Sequence, residues 1–242
     1  MKTIGQEATF AVQRSGERYF ADHGWLRTYH SFSFADYFDP ANVQWGALRV
    51  FNDDLIAPAQ GFPTHPHRDM EILTYVLRGE LEHQDSMGNR GVVRSGGVQF
   101  MSAGTGVRHS EFNHSHSDEV HLVQMWVVPG RLATRPTYGQ EDFTKEDRHN
   151  RWLLVAGNQK NGDAPIALTQ DAALRVAALD DTSLVHEFAP KRYGFLFNAG
   201  GKIQANDTEL NDGDAVRMYD VARLNLSGTG EILLWDLPSV PS

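Results

Sequence analysis

The chain has 242 residues, 40% of them hydrophobic and 22% charged, which suits one large or two small globular domains. It contains no cysteine, so disulfides and thiolate ligands are excluded, and any transition metal must be held by imidazole and carboxylate. The net charge is −9, from 22 basic and 31 acidic residues with no Lys/Arg cluster. Direct contact with nucleic acid is therefore not expected, although contact with another protein remains open.

The first residues, "MKTIGQEATFAVQRSG", lack the apolar core and small-residue cleavage site of a secretory signal. No run of roughly 18 apolar residues suggests a membrane helix, and a cytoplasmic location is the expectation. His23 and His30 flank Trp25 and Tyr29 and are expected to be packed or hydrogen-bonded. Short β-type segments then dominate, at 47–52, 71–79, 80–85, 98–102 and 120–128. Turn chemistry separates them at Asn52-Asp53-Asp54, Gly88-Asn89 and Ser95-Gly96-Gly97. Helical periodicity is weak. The segment 129–149, with two prolines, two glycines and many charges, reads as a linker.

Beyond it the pattern recurs. The strand–Gly–strand–turn–strand order of 72–102 returns in "GFLFNAGGKIQANDTELNDGDAVRMY" (194–219), which suggests two copies of one β-barrel. Matching Gly79 to Gly200 sets His186, Phe188 and Arg192 where the first copy has His65, His67 and Glu71. The second copy is expected to be chemically empty.

The chemistry gathers in the first copy. In "FPTHPHRDMEIL" (62–73), a regular strand would put His65, His67, Asp69 and Glu71 on one face, with Pro66 stiffening the pair of imidazoles. Downstream, "SAGTGVRHSEFNHS" (102–115) turns at Gly104 and Gly106 and then presents His109 and Glu111, again two residues apart. A barrel uniting the two strands would offer His65, His67, His109 and Glu111 to one divalent ion. Glu71 is either a fifth ligand or a group that orients a histidine. An octahedral ion with four protein ligands keeps two open positions, which favours catalysis over a structural role. One carboxylate leaves a net positive charge suited to an enolate or phenolate. Asp69 is better read as a strand-end acid. His83, His114, His116 and His121 enrich the region in histidine, and none is expected to be a ligand.

"GFPTHPHRDMEILTYVLRG" (61–79) resembles the first cupin motif, and "GGVQFMSAGTGVRHSEFN" (96–113) resembles the second. The spacer from Gly61 to His65 is shorter than usual for cupins, and Gly104 stands where they usually carry proline. Both departures look like the pirin branch, as do "HGWLRTYHSFSFADYFDP" (23–40) and "HQDSMGN" (83–89). The likeness is dense from Tyr19 to Pro129 and thin beyond.

The resemblance implies an all-β bicupin, with a metal-binding barrel at 1–130, a linker at 131–149 and a degenerate barrel without a metal at 150–242. It implies a divalent metal on His65, His67, His109 and Glu111, with Glu71 behind the ligands. Iron(II) is the expected metal, and manganese, copper, nickel, cobalt or zinc are acceptable alternatives. The implied activity is quercetin 2,3-dioxygenase chemistry, in which dioxygen cleaves a planar flavonol and carbon monoxide is released, with Glu111 as the catalytic base. Tyr75, Phe100, Met101, Met125 and Trp126 are the candidates to line an apolar pocket, though each taken singly is better read as core. Two rival readings are a metal-binding regulator acting through protein partners, as eukaryotic pirin is described, and an enzyme for another enediol-like substrate.

Overall fold

Alternation of inward and outward side chains builds most of the molecule. In the strand Val107–Asn113, for example, Val107, His109, Glu111 and Asn113 are buried while Arg108 and Phe112 are exposed. In a computed structural model of the chain, which describes residues 7–240, nineteen strands carry nearly all the regular structure. The first seven are β1 (Thr9–Gln13), β2 (Tyr19–Asp22), β3 (Leu26–His30), β4 (Leu48–Ile56), β5 (Gly61–His67), β6 (Glu71–Arg78) and β7 (Glu80–Asp85). Next come β8 (Arg90–Arg94), β9 (Val98–Ser102), β10 (Val107–Asn113), β11 (Val120–Val127), β12 (Thr137–Glu141) and a short helix, α1 (Lys145–Arg148). The rest are β13 (Leu153–Gly157), β14 (Ile166–Ala167), β15 (Ala173–Glu187), β16 (Tyr193–Ala205), β17 (Thr208–Leu210), β18 (Ala215–Tyr219) and β19 (Arg223–Leu237). Among the described residues, no helix is long and apolar enough to cross a membrane.

The first half is a sandwich of a four-stranded sheet, β5-β10-β7-β8, and a seven-stranded sheet, β12-β9-β6-β11-β4-β3-β2. The second half is one eight-stranded sheet in which β15, β16 and β19 are long enough to fold back. Their registers shift between Leu179 and Thr182 and between Asn198 and Gly200, and such bulges bend strands. Glycine is required at that bend, because a Cβ at Gly230 would collide with the carbonyl of Gly200. The architecture is the all-β, two-barrel one that the motifs imply.

Two expectations about chain organisation change. The stretch 131–149 is not a plain linker: β12 pairs with β9 and covers what would otherwise be the edge of the seven-stranded sheet. Conversely β1, from the first half, pairs with β18 in the other sheet.

The largest core cluster lies between the halves. Phe51, Leu73, Tyr75 and Met125 from the seven-stranded sheet meet Phe195, Phe197 and Trp235 from the eight-stranded one, all essentially without exposure. Burying a side chain of this size contributes roughly 1.5–3 kcal/mol. Polar ties cross the same seam: the Trp235 indole N–H donates to Met125 Sδ at 3.1 Å, and the Tyr75 hydroxyl donates to Glu231, which also pairs with Arg148.

Asn52-Asp53-Asp54 is no turn; it runs through the middle of β4 with all three residues buried. Asp53 is accommodated by Arg18 Nη2 at 2.9 Å and His121 Nε2 at 2.6 Å. Burial alone would raise the Asp53 carboxyl, but the hydrogen bond from His121 and the charge of Arg18 outweigh it and hold the group below 3.8. A depressed carboxylate stabilises the fold above its unfolded pKa, and that contribution is lost as pH falls through the folded value. Asp53→Asn is therefore expected to cost roughly 1.5–3 kcal/mol at pH 7. The gap should close as pH falls below 3.8 and further through the depressed folded value. Urea unfolding at both pH values checks this, and a gap independent of pH would contradict it.

Candidate metal centre

The site is assembled on the four-stranded sheet. β5 is its outer strand, so Pro63 and Pro66, which lack an N–H, leave no interior ladder bond unmade. In the β5–β10 register His65 stands opposite His109, then the register shifts so that Glu111 faces Phe62. Strand β5 comes so close here that a Cβ on Gly61 would collide with the backbone of Glu111 and Phe112. On the other flank of β10, Glu111 pairs with His83 and His109 with Asp85 of β7.

The ligand-type atoms form two overlapping groups, each within 4.8 Å: His65, His67 and His109, and His83, His109 and Glu111. Of the four residues singled out in the motifs, the three histidines form one group, and Glu111 shares the other group with His109 and His83. Nδ1 of His65 lies 2.8 Å from the carbonyl of Pro63, to which it donates, leaving Nε2 as a lone-pair donor. That Nε2 is 3.0 Å from Nε2 of His109. Two nitrogens at about 2.1 Å from one ion and at right angles would be about 3.0 Å apart, so the pair fits one transition ion. Burial, then the neighbouring imidazoles, push His67 down to about 4 and His109 to about 3. Both rings are neutral at pH 7, as ligation requires.

Glu111 is clamped from the facing sheet. Gln99 Nε2 donates to Oε1 at 2.6 Å, Gln124 Nε2 donates to Oε2 at 2.8 Å, and Thr74 approaches Oε1 at 3.4 Å. Trp126 fixes the Gln124 amide, because its indole N–H donates to Gln124 Oε1 at 3.1 Å and turns the NH2 toward Glu111.

His83 is the residue that sequence reasoning sets aside. It is fully buried, with Nδ1 3.4 Å from His109 Nδ1, Nε2 3.4 Å from Asp85 Oδ2, and its ring stacked on Tyr138. These long contacts place it behind His109, on the side away from His65. The one available signal is the inward phase of β7, where His83 and Asp85 alternate with outward Glu82 and Gln84.

Glu71 behaves differently from either expectation. The strand ends at His67, and Asp69 adopts φ +48, so the regular alternation breaks. Glu71, on β6, is fully buried and accepts hydrogen bonds from the backbone N–H of Thr169 at 2.7 Å and Gln170 at 3.3 Å. It ties the halves together and orients no histidine. Asp69 Oδ1 accepts from the N–H of Ala133. His114 and His116 are exposed, and His114 pairs with Glu82. His30 is packed, in edge contact with Phe34. In the second half, His186 and Arg192 both engage Asp236, at 3.4 and 2.6 Å. Both ligand groups found among the described residues lie in the first half.

The centre opens into a cavity of about 330 Å³ lined by His65, His67, Glu111 and apolar walls that include Phe34, Phe62 and Trp126. Of the side chains expected to line it, only Trp126 does. Tyr75, Phe100 and Met125 belong to the core between the halves, and Met101 to a small cluster with Ile72. Successive residues of a strand face opposite sides, so Met125 and Trp126 cannot share one surface.

Comparison with known proteins follows the same division. Residues 12–127 match the family model described as Pirin, and residues 153–237 match the quercetinase C-terminal cupin domain. A quercetin 2,3-dioxygenase of Escherichia coli strain K12 is 41% identical over 232 residues, covering 95% of this chain and 99% of that protein. The chain belongs to the pirin family. The crystal structure of the E. coli protein YhhW matches this pirin fold with a TM-score of 0.90 at 40% identity, over 97% of this chain and 100% of YhhW. The bacterial pirin YhhW in complex with nickel(II) matches with a TM-score of 0.89 at 40% identity, over 96% and 100% of the two chains. The two halves are accordingly a pair of cupin barrels, and the His/Glu centre of the first has a donor set able to hold a metal.

Proposed function

We propose that this pirin is a metal-dependent dioxygenase that opens the central ring of a flavonol such as quercetin with dioxygen and releases carbon monoxide. His65, His67, His109 and Glu111 hold one divalent ion, iron(II) being expected and manganese, copper, nickel, cobalt or zinc acceptable to the same ligands. The barrel of residues 1–130 carries the chemistry, and the barrel of residues 150–242 carries no metal. The observation that carries the proposal is the convergence of three imidazoles and a clamped carboxylate on one mouth of a cavity walled by Phe34, Phe62 and Trp126. The 41% identity to a relative named quercetin 2,3-dioxygenase supports it.

A bound ion supplies Lewis acidity and open positions for an oxyanion and dioxygen. The protein does the rest. Glu111 takes the proton of the flavonol 3-hydroxyl, at short range and in an orientation set by Gln99 and Gln124. Phe34, Phe62 and Trp126 hold the planar rings and exclude water, and His67 meets Trp126 edge-on at 4.8 Å.

Protein purified without added metal should contain a divalent transition ion by elemental analysis. In an oxygen electrode it should consume oxygen and quercetin together, with carbon monoxide evolved and both losses stopped by chelation. Absence of turnover with iron, manganese, copper, nickel and cobalt would sink the flavonol reaction. Slow, poorly saturating turnover would favour another enediol-like substrate.

A further inference from the structure

The wall of the cavity facing the imidazoles has chemistry that the proposed reaction leaves unused. In the β3–β4 ladder Thr28 stands opposite Asp54 and His30 opposite Asn52, so the four side chains share one patch of the seven-stranded sheet. All four line the cavity, and each is at most 5% exposed. Oγ1 of Thr28, Nδ1 of His30, Oδ1 of Asn52 and Oδ1 of Asp54 are buried with no hydrogen-bond partner. Buried polar atoms are nearly always paired, so four orphans side by side in a ligand-sized cavity mark where a polar part of the ligand belongs.

We infer that His30, Asn52 and Asp54, with Thr28 beside them, form a polar subsite for hydroxyl groups of the substrate other than the one engaged at the metal. The inference rests on the proposed reaction only for the placing of that first hydroxyl. No Lys or Arg lines the cavity, so the groups received here are neutral hydroxyls and not carboxylates. The patch suits such partners. Burial pushes the Asp54 carboxyl up to about 7, so near neutral pH it can donate or accept. Burial pushes His30 down to about 4, so its neutral ring offers one donor and one acceptor. The cavity thereby selects polyhydroxylated flavonols over those bearing the 3-hydroxyl alone.

The test compares quercetin with 3-hydroxyflavone, which keeps the 3-hydroxy-4-keto pair and lacks the other hydroxyls. Dissociation constants are measured by fluorescence quenching on zinc-loaded protein without oxygen, so that binding is read apart from turnover. Quercetin should bind at least about 10-fold more tightly. Asn52→Leu and His30→Phe should weaken quercetin toward the 3-hydroxyflavone value, leaving 3-hydroxyflavone and metal content unchanged. Equal affinities in the unaltered protein would overturn the inference, as would variants that weaken both ligands alike, since the patch would then hold only water. If a variant does not fold, the comparison in the unaltered protein still decides. A quercetin preference without oxygen uptake would keep the subsite and reject the reaction; oxygen uptake with equal affinities would do the reverse.

Discussion

Replacing Glu111 by alanine is expected to lower quercetin-dependent oxygen uptake by about 10²–10⁴-fold, the range for a positioned acid–base group. On the proposed assignment some metal stays bound, because His65, His67 and His109 form a complete trio without the carboxylate. Oxygen-electrode rates and elemental analysis on the same preparation separate the two effects. Glu111→Gln should fare little better, since its own NH2 would point at the amide donors of Gln99 or Gln124. Full turnover by a metal-loaded Glu111→Ala protein would remove this residue from the reaction.

Trp235→Ala is expected to destabilise the protein by about 3–5 kcal/mol, the cost of emptying a large aromatic site in a core. Trp235 is fully buried among side chains of both barrels and donates its indole N–H to Met125. Because Phe51 and Leu73, in the same cluster, lie on β4 and β6 of the first barrel, the loss should reach both barrels together. Urea unfolding followed by fluorescence of the remaining tryptophans and by circular dichroism should give coincident curves. A loss under about 1 kcal/mol would show that the seam collapses around the gap.

The legible parts of the site are those fixed by local geometry. His65/His67 and His109/Glu111 can be placed on common faces because strand alternation is a property of neighbouring residues. Gly79 and Gly200 likewise mark the repeated barrel, with His186, Phe188 and Arg192 of the second copy at the positions of His65, His67 and Glu71 in the first. What escapes a linear reading depends on distant partners. Asn52-Asp53-Asp54 has turn chemistry, yet it pairs with β3 and β11 as a buried strand, and the groups that accommodate Asp53 there, Arg18 and His121, come from elsewhere in the chain. β7 carries polar residues on both phases, and Leu81 alone marks the phase of His83 as inward and that of Gln84 as outward. β6 is buried along most of its length, and β11 nearly so, so alternation cannot tell the cavity face from the face against the second barrel. The misassigned lining residues Tyr75 and Met125 follow from that. Glu71 has the spacing of a ligand, yet its partners at Thr169 and Gln170 are almost a hundred residues away.

The seam between the barrels has a consequence for how such a chain can be cut or shuffled. Excising the second barrel would remove the partner strand of β1, strand β18, and the backbone donors that satisfy Glu71. It would also lay bare Phe51, Leu73, Tyr75 and Met125 as one continuous greasy sheet face. The second barrel therefore serves as a permanent lid on that face of the first. An isolated first barrel would have to replace that lid with another copy of itself or precipitate, so the two halves behave as a single inheritable unit.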